Sequence, residues 1–252
     1  MSSTTSPPSL LLLPLPPPSL SRASLKAAYQ PALTAALRAI ASTSTRTSPI
    51  AVLDIVVPWP ALRGQREKPR SHIFGETQHL LAEVYSLISI VGARENIELD
   101  GPGGIDSRVL LLEYDDASVD LAGEEGRNVV AAAGGGPIID LPTLALTRRN
   151  WNLIFAVDGE QGQAVFTKYR NAANSYTPPL RGQIRTVPGG TTVVVEASKT
   201  SQTTQPSPHP SSRTHSVVAV GGTFDHLHAG HKLLLTCTAL MLQPPAPSTT
   251  SS

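Results

Sequence analysis

Three short apolar runs set the class of fold open to this chain. IAVLDIVV (50–57), RVLLLEY (108–114) and LIFAVD (153–158) are each too short for a buried helix, and polar residues, proline or glycine bound them. Runs of this kind read as strands in the interior of a sheet. Pro58 and Pro60 are expected to end the first, and TTVVVEA (191–197) is a further strand candidate. Between the first two lies the best helical pattern, Thr77 to Val91, with Leu80, Leu81, Val84, Leu87, Ile88 and Val91 on one face. A second spans Ser24 to Ala41, with Leu25, Ala28, Tyr29, Leu33, Ala36, Leu37 and Ile40 at helical spacing; Pro31 is expected to kink or restart it. Strands alternating with helices predict an α/β fold, a mainly parallel sheet with flanking helices.

Composition divides the chain further. Residues 1–23 are rich in Pro, Ser and Leu and predict a disordered leader. Residues 24–197 form an N-terminal α/β region in which no motif carries a function. Residues 198–215, SKTSQTTQPSPHPSSRTH, hold no large apolar residue and read as a linker. A new unit of strand, glycine loop and helix is expected over 216–242, and 243–252 is a tail. Residues 1–53 contain no Asp or Glu but carry Arg22, Lys26, Arg38 and Arg46, the acid-poor composition of an organellar transit peptide. The plainer alternative is a disordered leader followed by one helix. A cytoplasmic location is expected, with a mitochondrial one as the alternative. The net charge of +1 exerts no strong pull on nucleic acid or anionic lipid. The run LLLLPL (10–15) is far short of the roughly 20 residues that span a bilayer, so neither partner is expected. One cysteine, Cys237, excludes an internal disulfide framework.

The segment VVAVGGTFDHLHAGHKLLL (217–235) stands apart. A buried strand, a glycine turn and a helix start make a natural anion site, because the first N–H groups of a helix lack partners and its dipole favours negative charge there. Gly221 and Gly222 allow close backbone approach, Thr223 offers a hydroxyl, and His228 and His231 can donate to phosphate oxygens. Three residues apart, the two histidines share one helical face, and Lys232 is a nearby counter-charge.

Within 216–240, GGTFDHLHAGHKLLL resembles the signature of the HxGH nucleotidyltransferases, and most nearly the pantetheine-phosphate adenylyltransferases of eukaryotic, fungal type. His-x-Gly-His follows "GGTFD" and "VVAV" as it does in that family. The resemblance implies a Rossmann-like nucleotide-binding element. It also implies transfer of AMP from Mg-ATP to 4′-phosphopantetheine, with dephospho-coenzyme A and pyrophosphate as products. On this resemblance Thr223 holds the reacting phosphates and the Thr223–Phe224 backbone contacts ATP. His231 stabilises the α-phosphate, His228 lies on the β/γ side, and Asp225 and Gly230 shape the turn. Such enzymes also carry a lysine on the next strand, a basic helix and a serine loop, none of which is found here. The chain therefore reads as an enzyme cut off after its first catalytic element, with residues 1–197 as the variable region that precedes the catalytic domain. Two alternatives are a related cytidylyltransferase and an inactive product acting as a binding or regulatory module.

Other residue groups have plainer readings. His226, His228 and His231 could form a zinc triad, but no Cys or carboxylate apart from Asp225 stands at ligand spacing. His79 and Glu83 read as a solvated i,i+4 pair. Asp115, Asp116, Asp120, Glu124 and Glu125 read as a solvated loop, and GGGP (134–137) lacks the Lys-Ser/Thr of a phosphate-binding loop. Cys237 reads as a buried structural thiol, and Trp59 and Trp151 as packing residues.

Overall fold

The computed structural model describes residues 6–44, 48–65, 70–115, 138–147, 150–177, 179–191 and 215–242. Six strands form one sheet: β1 (Ser9–Leu12), β2 (Ala51–Trp59), β3 (Ile105–Glu113), β4 (Ile138–Asp140), β5 (Asn150–Val157) and β6 (Arg181–Val187). The order is β4-β3-β2-β1-β5-β6, and every pairing is parallel. The helices are α1 (Arg22–Ala41), α2 (Ser71–Glu95), α3 (Leu141–Thr147), α4 (Glu160–Asn174) and α5 (Ala229–Leu240). α1, α2 and α5 cover one face of the sheet and α3 and α4 the other. This is the expected α/β architecture, a parallel sheet between two helical layers.

The predicted leader is in part the centre of the fold. β1 lies between β2 and β5, and Leu10, Leu11, Leu12 and Leu13 are fully buried. Leu11 and Leu13 face the α1 side, Leu10 and Leu12 the α4 side, as a strand with both faces covered requires. The prolines that suggested disorder flank the strand, Pro7 and Pro8 before it and Pro14, Pro16, Pro17 and Pro18 after it, where no ladder N–H is needed. The acid-poor stretch from Ser9 to Ala41 thus supplies β1 and α1.

Two prolines also act differently from expectation. β2 continues through Pro58 to Trp59, opposite Leu112 and Glu113 of β3. Val56 accepts from Leu13 N–H on the β1 side. Pro58, two residues on, would direct its N–H to that same side, and β1 has already ended at Leu12. α1 runs unbroken past Pro31. The proline leaves the Ala27 carbonyl without its helical donor, at a cost of about 3 kcal/mol. Eight buried side chains on α1, from Leu25 to Ile40, offset it, at about 1.5–3 kcal/mol for each large one. Ser21 caps the start by accepting from Ser24 N–H at 3.3 Å. α2 closes on Asn96 in the left-handed conformation, φ 54°.

β4, α3, α4 and β6 were not foreseen. The indole of Trp151 donates to the Tyr169 hydroxyl at 2.8 Å, joining β5 to α4, and the indole of Trp59 donates to Thr77 at 3.2 Å. Both tryptophans are packing residues, as read. The strand expected at 217–220 does not form: the segment joins no sheet, and Val217 and Val220 are exposed. A strand needs a neighbour, and among the described residues none pairs with it. Nor does 216–242 stand as a separate unit, because α5 packs against α2 and buries Cys237 and Leu240 in the core shared with α1. Cys237 is buried, as expected, and burial pushes its thiol pKa up. TTVVVEA lies almost wholly outside the described residues, as do the linker, the tail, GGGP and the acidic positions 116, 120, 124 and 125.

Candidate functional site

α5 begins at His228, which sits in extended backbone and turns its ring onto the helix end. Its Nδ1 accepts from Gly230 N–H at 3.1 Å. Glycine gives the ring its room: a Cβ at residue 230 would lie 3.0 Å from the ring's Cε1 and 3.2 Å from Nδ1, and the imidazole would have to shift by a few tenths of an ångström. One turn on, His231 stacks against His228, with ring centroids 3.9 Å apart and planes at 29°. Phe224 leans on His231 at 5.0 Å. His231 Nδ1 lies 2.8 Å from the His226 carbonyl oxygen.

These contacts assign the protons. A carbonyl oxygen can only accept, so His231 carries its proton on Nδ1, and its Nε2 donates only when the ring is protonated. His228 accepts at Nδ1, so its neutral ring carries the proton on Nε2 and is already a donor to an oxyanion. The sequence named both imidazoles as donors to phosphate, whereas their hydrogen bonds make only His228 an outward donor in its neutral form.

The predicted site residues come together only in part. His228, His231, Phe224 and Gly230 form one cluster, and Gly221, Gly222, Thr223 and Asp225 lie exposed in the segment before it. Lys232 does not join them. Its ammonium is 2.6 Å from Asp106 Oδ1, 3.8 Å from Asp100 Oδ1, and donates to the Ser107 carbonyl at 3.1 Å, at the amino end of β3. Its side chain is 13% exposed. Arg108 donates to the other Asp106 oxygen at 2.6 and 2.8 Å. Burial opposes ionisation of Asp106, but the hydrogen bonds and charges of Lys232 and Arg108 outweigh it and hold the carboxyl below its usual range.

Among the described residues, no three His, Cys, Asp or Glu are placed to hold a metal ion. His79 meets the Leu20 carbonyl at 3.0 Å, and Glu83 stands 3.9 Å from Arg22. Asp115 pairs with Arg63 at 2.7 Å. Among the described residues, no helix is long and apolar enough to cross a membrane. Two places escaped the sequence. One is the Asp100–Asp106 notch, whose partner is far away along the chain. The other is the crevice beyond the carboxyl ends of β1 and β5, where the strand order reverses and doubly wound sheets bind ligands. Gly189, just after β6, lies against the end of β5, where a Cβ would collide with the Asp158 carbonyl. The four-leucine run at 10–13 was the available signal for that crevice.

No curated protein and no solved structure matches the chain. Residues 1–193 match a family model described as a domain of unknown function, DUF8446. That match takes in the whole sheet, α1 to α4, and the Asp100–Asp106 notch, and stops short of α5 and its histidines. The chain therefore belongs to the DUF8446 family.

Proposed function

We propose that Gly221–Lys232 is the phosphate-binding element of an adenylyltransferase that moves AMP from ATP to 4′-phosphopantetheine. What supports this is one arrangement: two stacked imidazoles at the exposed start of a helix, preceded by Gly-Gly-Thr-Phe-Asp. An oxygen of the phosphopantetheine phosphate attacks the α-phosphorus of ATP in line. The new P–O bond forms as the bond to the β-phosphate bridging oxygen breaks, and pyrophosphate leaves with that electron pair. His228 Nε2–H donates to the β- or γ-phosphate oxygens. Protonated His231 donates from Nε2 to the α-phosphoryl oxygens, where charge is held during transfer. The Thr223 hydroxyl and the N–H groups of 221–223 supply further donors. Magnesium would enter with the triphosphate. The imidazole N–H groups are donors suited to phosphate oxygens, whereas a hard cation needs oxygen ligands, and the His226 carbonyl is occupied by His231 Nδ1.

Pyrophosphate release, measured with ATP or CTP against 4′-phosphopantetheine or phosphocholine, tests the reading. Turnover with ATP and 4′-phosphopantetheine is expected, and His231→Ala should lower it about 100-fold or more. Turnover with CTP alone would replace the substrate assignment by that of a cytidylyltransferase.

A second reading, of a catalytically silent binding or regulatory module, has its own observation. Residues 217–220 join no sheet, and Asp106 rather than a phosphate site holds Lys232. Pyrophosphate release no faster than blank, together with retained nucleotide binding, would favour it.

A further inference from the structure

The contact that closes α5 onto the rest of the molecule is made by a residue with two claims on its charge. Lys232 lies between the phosphate-binding residues before it in sequence and the Asp100–Asp106 notch that holds it. Apart from that contact, α5 is thinly attached. Of its twelve residues only Cys237 and Leu240 are buried, and Leu234 and Leu235 are exposed. Ala229 and Leu233 pack part-buried against the same core, and the ion pair is the one charged contact described between α5 and the sheet. Asp106 is itself fixed, because Arg108 binds its second oxygen, so the notch cannot follow the ammonium if it leaves.

We infer that α5 is a latch on the DUF8446 sheet, closed by Lys232 in the Asp100–Asp106 notch and opened by a nucleotide polyphosphate that draws the ammonium to itself. The closing contact stands on geometry alone, while the opening ligand rests on the function proposed above. One ammonium cannot serve both anions, because the notch holds it at the amino end of β3. A triphosphate offers it more negative charge than one carboxylate already shared with Arg108. By linkage, docking weakens nucleotide binding by the same factor as the nucleotide weakens docking. The DUF8446 unit thereby acts as an intramolecular regulator of the histidine element.

Cys237 reports the state of the latch in the full chain. Its thiol is buried on the face of α5 turned to α2, so a disulfide reagent reaches it slowly while the helix is docked. Asp106→Asn and Lys232→Met should each speed its labelling at least about fivefold with an unchanged circular dichroism spectrum. Mg-ATP and magnesium tripolyphosphate should speed labelling of the unmodified chain but not of Lys232→Met. Labelling rates unchanged in both variants overturn the latch. A nucleotide that shifts the imidazole C–H resonances of His228 and His231 without speeding labelling overturns the opening mechanism and leaves the proposed function standing. ATP that neither shifts those resonances nor speeds labelling overturns both.

Discussion

Lys232 of α5 and Asp106 of β3 stand 2.6 Å apart, each with a mostly covered side chain. The carboxyl of Asp106 is held below its usual range by Lys232 and Arg108, against the opposing effect of burial. A carboxylate whose folded-state pKa is depressed contributes stability that is fully present above its unfolded value, about 3.9, and is lost as pH falls through the folded-state value. Docking of α5 should therefore be constant from neutral pH down to about 4 and weaken below that. The rate of Cys237 labelling, corrected for the thiolate fraction of a model thiol, should rise as the pH falls below that point. In Asp106→Asn the rise should vanish. An identical profile in the two proteins would show that another group governs the acid response.

β1 is four residues long, yet it holds the two halves of the sheet together. Leu11 and Leu12 are fully buried on opposite faces. Truncating either to alanine leaves a cavity in a packed layer and should cost about 2–5 kcal/mol. Urea unfolding of Leu11→Ala and Leu12→Ala measures this directly. Deleting residues 1–13 should abolish the cooperative transition altogether, because β2 and β5 would lose their common neighbour. A dispensable leader would leave the midpoint where it was.

Trp151 and Tyr169 bind β5 to α4 through one hydrogen bond, in which the buried indole N–H donates to the phenol oxygen at 2.8 Å. Tyr169→Phe keeps the ring and strands the donor. Leaving a buried N–H unpaired costs about 1–3 kcal/mol, and the loss should appear in the unfolding midpoint. Trp151→Phe in the Tyr169→Phe background removes the stranded donor, so the two changes should not be additive. Additive losses would mean that the bond contributes nothing of its own.

The elements legible in the sequence were those whose apolar runs exceed what loops carry. β2, β3, β5, α1 and α2 all fall where IAVLDIVV, RVLLLEY, LIFAVD and the two helical stripes lie. β1 was hidden because four leucines among six prolines look like low complexity until β2 and β5 flank them. β6, RGQIRTV, is exposed in all but its last residue and has no apolar pattern to read; pairing with β5 makes it a strand. The same dependence on a neighbour worked in reverse for Val217–Val220, which has the composition of a strand and no sheet to join. At the site, the rings of His228 and His231 do come together, but through His228 capping the helix from extended backbone rather than through a shared helical face. The capture of Lys232 was out of reach, because Asp106 becomes its neighbour only when α5 folds back on α2.

His228 does two things at once, and two substitutions separate them. Its Nδ1 caps α5, and its Nε2–H is the donor available to an oxyanion in the neutral ring. Asparagine keeps a cap acceptor, but its amide N–H groups sit on a shorter side chain and do not reach out to where the imidazole Nε2–H stands; alanine has neither acceptor nor donor. His228→Ala should therefore destabilise the docked helix by about 1 kcal/mol, the usual worth of a cap, while His228→Asn should leave stability nearly unchanged. Nucleotide affinity should fall in both by about tenfold, the equivalent of one hydrogen bond to a charged group. Labelling of Cys237 reads the first effect, and titration of the His231 C–H resonances with Mg-ATP reads the second. If affinity recovers in the asparagine variant along with stability, His228 serves only to start the helix, and the phosphate contact belongs to other residues of the segment.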